Sequence, residues 1–106
     1  MNRTITVHNW FNTTDIRVYQ ANQKADGTWV VEDQDSRITI KGNESSNFDV
    51  QYNGIYVTYR PTVFTEEPLG YMRYNEGLVT LDVFDIRAGN MPWGFYASWR
   101  GAHVPA

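Results

Sequence analysis

Along most of the chain apolar residues recur at every second position, the period of a strand with one face buried. Ile5 and Val7 alternate with Thr and His, and Ile16 and Val18 follow. The turn signal Asp26-Gly27 precedes Thr28-Trp29-Val30-Val31, and Ile38 and Ile40 alternate with Arg, Thr and Lys. Phe48, Val50 and Tyr52 flank Asp49 and Gln51. Asn53-Gly54 then predicts a tight hairpin turn, because both residues tolerate positive φ, with Ile55, Val57 and Tyr59 running back from it. Pro61 ends that strand, and a long loop is expected from Pro61 to Gly70, exposing Glu66-Glu67-Pro68 to protein contact. Tyr71 to Tyr74 predicts a short strand and Asn75-Glu76-Gly77 a turn. Val79, Leu81 and Val83 share one phase and Phe84 and Ile86 the other, which predicts a bulge near Val83-Phe84. Gly89 to Pro92 is a loop, and Phe95, Ala97 and Trp99 alternate with Tyr96, Ser98 and Arg100. These are about seven to nine short strands, the pattern of an antiparallel β-sandwich.

Two periodicities compete in residues 1–20. Val7, Trp10, Phe11, Thr14 and Val18 would share one face of a helix. Asn9, Asn12, Thr13 and Thr14 are poor helix formers, so two strands joined by a turn at Asn12-Thr13-Thr14 are expected instead.

The length of 106 residues predicts one domain, 1–106. A net charge of −3 argues against nucleic-acid binding, which needs a basic footprint to displace counterions. With no cysteine, disulfides and thiolate chemistry are excluded. No apolar run is long enough for a transmembrane helix. The opening MNRTITVHNW lacks the apolar segment of a secretory signal. Cytoplasmic synthesis is therefore expected, with any release by a non-classical route. The aromatic share of 15%, with four Trp and seven Tyr, suits both strands and recognition surfaces.

Candidate chemistry is sparse. His8 lies in an alternating strand and His103 in the tail. Asp33 and Asp35 resemble calcium ligands, but the segment lacks the Gly and terminal Glu of a calcium loop and reads as a solvated turn. The pairs Glu66-Glu67 and Asp82/Asp85 read as surface charge rather than as a glycosidase couple. No nucleophile elbow or phosphate-cradling loop is present. The chain is expected not to be an enzyme, and no cofactor or metal is implied. The richer signal is aromatic: Trp93, Phe95, Tyr96 and Trp99 near the C-terminus, with Trp29, Tyr71 and Tyr74 elsewhere. On a strand Phe95 and Trp99 share a face, and at least one face serves the core. Trp93, in a Pro-Trp-Gly loop, fits a sugar platform, a lipid interface or a dimer contact.

The C-terminal third resembles the fungal immunomodulatory proteins of the Fve type. The matching features, in order, are Tyr74-Asn75-Glu76-Gly77, Thr80-Leu81-Asp82-Val83-Phe84, Gly89-Asn90 and Ala97-Ser98-Trp99. Upstream, Ile38-Thr39-Ile40, Phe48-Asp49-Val50 and Asn53-Gly54 are collinear with the family's strands and turn. The resemblance implies a fibronectin III/immunoglobulin-like sandwich whose N-terminal segment pairs two subunits into a homodimer. It implies a lectin that binds cell-surface glycans or glycoproteins and stimulates lymphocytes. Positions resembling the family's sugar site are Thr28, Asp35, Thr80, Leu81 and Trp99. Trp29 follows Thr28, where the family places a Trp ahead of the Thr, and the N-terminal segment is polar where the family has an apolar helix. With Trp29 and Trp93 added for their aromatic faces, these residues form the expected ligand-binding set. Two other functions fit the same sequence: a membrane-surface binder resembling aegerolysins or actinoporins, and a protein-interaction or inhibitor module.

Overall fold

Nine strands and one short 3-10 turn account for residues 3–84 and 94–99, which a computed structural model describes, with residue 84 and the last stretch as backbone. The strands are β1 (Thr4–Asn9), β2 (Asp15–Gln23), β3 (Trp29–Glu32), β4 (Ile38–Ile40), β5 (Ser45–Asp49), β6 (Gly54–Arg60), β7 (Glu67–Arg73), β8 (Leu78–Phe84) and β9 (Gly94–Trp99). The 3-10 turn spans Gln34–Ser36. The strands form two sheets. One has the order β5-β1-β8-β9; in the other β2, β6 and β7 are successive neighbours, and β3 and β4 share the remaining edge of β2. The molecule is an all-β sandwich. One ladder departs from the antiparallel expectation: β1 runs parallel to β8.

The core lies between the sheets and is drawn from the apolar phase of each strand. Ile5 and Val7 of β1, Ile16 and Val18 of β2, Ile55 and Val57 of β6, and Leu81 and Val83 of β8 are all but fully buried, joined by Phe11, Ile40, Phe48, Val50 and Leu69. Burying each such side chain contributes roughly 1.5–3 kcal/mol. Two buried amides supply the polar ties. Gln20 donates from Nε2 to the Asp49 carbonyl and accepts from the Gln51 amide through Oε1, linking β2 to the end of β5. Asn9 secures the turn between β1 and β2.

Residues 4–23 are two strands, as expected, but the strands belong to different sheets. Each is hydrogen-bonded along both edges, so neither offers a free edge for strand pairing with a second copy. Asn53-Gly54 is not a hairpin: β5 and β6 lie in opposite sheets, and the pair marks the crossing between them. Asn53 is spent on exchanging side-chain hydrogen bonds with the backbone of Gln23. The loop expected to reach Gly70 ends sooner, because β7 begins at Glu67 and pairs with β6. The bulge expected near Val83-Phe84 is displaced to the start of β8. The β8–β9 register shifts between Leu78 and Thr80, which leaves Val79 exposed beside the buried Leu78. Ile86, His103 and Asp85 lie outside the described residues.

Candidate functional site

Register alone assembles an aromatic row on the outer face of the β2-β6-β7 sheet. Tyr19 on β2 pairs with Tyr56 on β6, and Tyr56 pairs with Tyr71 on β7. Directly opposed residues point to the same side of a sheet, so the three rings stand together. Tyr56 and Tyr71 stack, with centroids 4.4 Å apart. Tyr19 and Tyr56 meet at 5.7 Å and 42°. Trp29, from β3 at the far edge, extends the row: its ring lies 5.0 Å from Tyr71 at an interplanar angle of 15°.

Trp29 reaches that far because the position beneath it is glycine. A Cβ on Gly54 would fall 2.3 Å from Trp29 Cζ3. The glycine read in the sequence as a turn residue is therefore needed for close approach of an aromatic ring. Tyr71 is 40% exposed, Trp29 and Tyr56 are half-buried, and Tyr19 is buried. The surface is an open aromatic strip graded from dry to wet.

One end of the strip is closed by Glu66. Its carboxylate accepts from Tyr19 Oη, from Thr58 Oγ1 at 2.7 Å and from Arg17 Nη1 at 3.0 Å. Burial opposes its ionisation, but the hydrogen bonds from Tyr19 and Thr58 and the Arg17 guanidinium hold it below the ordinary carboxylate range. The Tyr19 hydroxyl is pushed up, first by burial and then by donating to Glu66. Tyr56 is also pushed up, by burial and by neighbouring Tyr71 and Glu66. Surface charge by its sequence, Glu66 is made by the fold a hub that ties β2 to β6.

A pH dependence follows from the sign of the Glu66 shift. A carboxyl group whose pKa is lower in the folded state stabilises the fold above its unfolded value and loses that contribution as pH falls through the folded value. Stability should therefore decline below about pH 4.5, and Glu66→Gln should flatten this part of the profile. Urea midpoints of both proteins between pH 3 and 7 check it. Parallel profiles would mean that Glu66 does not couple to folding.

The opposite sheet carries a different surface. Thr6, Asn47 and Thr80 line its outer face in register, with Thr6 Oγ1 bonded to Asn47 Oδ1 at 3.2 Å. Trp10 is half exposed; its Nε1 donates to Asp82 Oδ1 at 2.9 Å, and its ring lies 4.2 Å from His8. A third feature is the turn between β6 and β7. Phe64 is 93% exposed and Val63 73%, on a turn closed by hydrogen bonds between Thr62 and Thr65.

The expected ligand-binding residues are divided by this architecture. Thr28 and Trp29 lie together at the start of β3, and Asp35 follows in the exposed 3-10 turn. Thr80 faces outward on the other sheet. Leu81 is fully buried in the core, so it has no surface to offer a ligand; alternation places it inward beside the outward Thr80. Trp99 pairs with Leu78 through its backbone, and Trp93 lies outside the described residues. Thr28 and Trp29 are therefore on the opposite face of the sandwich from Thr80. Tyr19 and Tyr56 lie outside the aromatic positions that stand out in the sequence. Their signal was an aromatic on the outward phase of a strand whose inward phase is Ile and Val. Asp33 and Asp35 are both exposed, and among the described residues no three His, Asp or Glu side chains converge as metal ligands would. No helix among them is long and apolar enough to cross a membrane.

In comparisons with known proteins, the chain matches no family model, no curated protein and no solved structure.

Proposed function

We propose that the protein is a lectin-like binding protein that recognises cell-surface carbohydrate through the outer face of the β2-β6-β7 sheet, without a catalytic step. The observation that carries this reading is the strip of Trp29, Tyr71 and Tyr56, stacked in series from three strands. Sugar rings expose C–H groups that pack on aromatic surface and hydroxyls that need donors and acceptors. The strip supplies both, because its rings end in phenolic oxygens and an indole N–H. Thr28, exposed beside Trp29, adds a hydroxyl at the rim. Preassembled rings lose little freedom on binding, which suits a weak, multivalent ligand such as a glycan-bearing cell surface. Engagement of such glycans on lymphocytes would give the immunomodulatory activity that the sequence resemblance implies.

A glycan array, followed by haemagglutination, tests the proposal. Trp29→Ala should lower the affinity for any glycan identified by about tenfold, the worth of one stacked aromatic. An array without a bound glycan, or a Trp29→Ala protein that binds like the parent, would sink the reading. Flotation with phosphatidylcholine vesicles free of glycolipid is the companion measurement. Binding there would favour the alternative of membrane contact, for which Val63 and Phe64 are the exposed apolar pair.

A further inference from the structure

Two arginines stand on the same outer face as the aromatic strip, and they are held differently. Arg17 is answered by a carboxylate, that of Glu66, at 3.0 Å. Arg73 is answered by an amide: its Nη1 donates to Gln23 Oε1 at 3.1 Å. Among the described residues no carboxylate lies within salt-bridge distance of Arg73. An amide oxygen orients a guanidinium but leaves its charge uncancelled.

The placement of Arg73 is specific. Tyr71 and Arg73 are two residues apart on β7 and share its outward side, since Met72 between them packs on the core. Arg73 pairs with Gly54, the residue that lets Trp29 lie close to the sheet. Gln23 pairs with Trp29 across β2 and β3. Gln23 is itself anchored: its Nε2 donates to the Gly27 carbonyl at 3.2 Å, and its backbone amide donates to Asn53 Oδ1 at 2.7 Å. The wet end of the strip, formed by Trp29 and Tyr71, is thus bordered by an exposed, oriented and uncancelled positive charge. The dry end, by contrast, is neutralised internally by Arg17 and Glu66.

We propose that the glycan recognised by this face is acidic: its sugar ring packs at Trp29 and Tyr71 while its carboxylate or sulfate takes the Arg73 guanidinium. The proposal rests on the lectin reading and names its ligand class. A planar guanidinium with free N–H groups matches a carboxylate or sulfate by parallel hydrogen bonds.

The test uses the full chain and three probes: lactose, 3′-sialyllactose and 3′-sulfolactose, titrated by calorimetry. At least one acidic sugar should bind about tenfold more tightly than lactose. The sialyl and sulfo arms show which anion is read. The advantage should shrink as salt is raised from 50 to 500 mM, because an exposed ion contact is screened. Arg73→Gln should reduce acidic-sugar affinity to the lactose level without lowering lactose binding, and Arg73→Lys should restore part of the preference. Equal affinities for all three sugars, or an acidic preference that survives Arg73→Gln, would overturn the proposal and leave the lectin reading intact. Binding of no sugar in any arm, together with an empty glycan array, would overturn both.

Discussion

Replacing Asn9 with alanine should cost the protein about 3 kcal/mol, a large share of the roughly 5–15 kcal/mol that stabilises a domain of this kind. Asn9 is fully buried at the end of β1. Its Nδ2 donates to the Thr14 carbonyl at 2.8 Å and to the Ile40 carbonyl at 3.0 Å, and its Oδ1 accepts from the Phe11 amide at 2.9 Å. One side chain therefore satisfies three backbone groups around the turn that carries the chain from one sheet to the other. Alanine would leave two carbonyls and one N–H unpaired in a dry site, each costing on the order of 1–3 kcal/mol before relaxation or water entry. The melting temperature should fall by about 15 °C. Asn9→Asp is the sharper comparison. It keeps the acceptor for Phe11 but presents a carboxylate to two carbonyl oxygens, so at neutral pH it should be at least as damaging as alanine. A fully stable Asn9→Asp protein in thermal melts at pH 7 would contradict the role of the amide as a donor.

Gly54→Ala should dismantle the aromatic strip while leaving the sandwich folded. The added Cβ would sit 2.3 Å from Trp29 Cζ3 and 2.6 Å from Trp29 Cη2, distances at which something must move. The indole is the free end, since β3 is held to β2 by backbone pairing from Gln20–Glu32 to Gln23–Trp29. Moving it breaks the stack on Tyr71 and exposes apolar surface, at a cost of about 2 kcal/mol. Removing a glycine from a strand offsets part of this through the unfolded chain. The expected result is a modest loss of stability, a red-shifted tryptophan emission, a weaker near-UV circular dichroism signal and a loss of glycan affinity as large as that of Trp29→Ala. An unchanged emission spectrum with unchanged binding would show that Trp29 does not depend on Gly54. The two substitutions separate two properties: Asn9 supports the crossing between the sheets, and Gly54 supports the surface of one of them.

The legibility of these features differs for physical reasons. Core residues were readable because burial follows the backbone period: Ile5 and Val7, Ile55 and Val57, and Leu81 and Val83 all face inward as their alternation implies. Strand β2 was less readable. Tyr19, Gln20 and Ala21 are all buried, which breaks the alternation, because its outward side is covered by Glu66 and the aromatic layer. Asn9 and Gln20 looked like ordinary polar positions, since nothing local shows that the carbonyls they serve arrive from residues 40 and 49. The roles of Glu66 and Gly54 are hidden for the same reason: the partners that explain them, Tyr19 and Trp29, are 47 and 25 positions away in the sequence.

Local pattern and composition are enough to establish that the chain forms short strands, which phase of most strands is apolar, and that neither thiol nor strongly basic chemistry is available. These are properties of composition and of a two-residue backbone period, and they do not depend on which strands meet. Long-range pairing alone sets that β1 and β2 join different sheets, that Asn53-Gly54 marks a crossing, and that Thr80 lies on the far side of the sandwich from Trp29. Pairing partners and register are set by contacts between distant segments. A surface made of one residue from each of four strands exists only once those contacts have formed. The aromatic strip, and the oriented charge of Arg73 beside it, are products of that register.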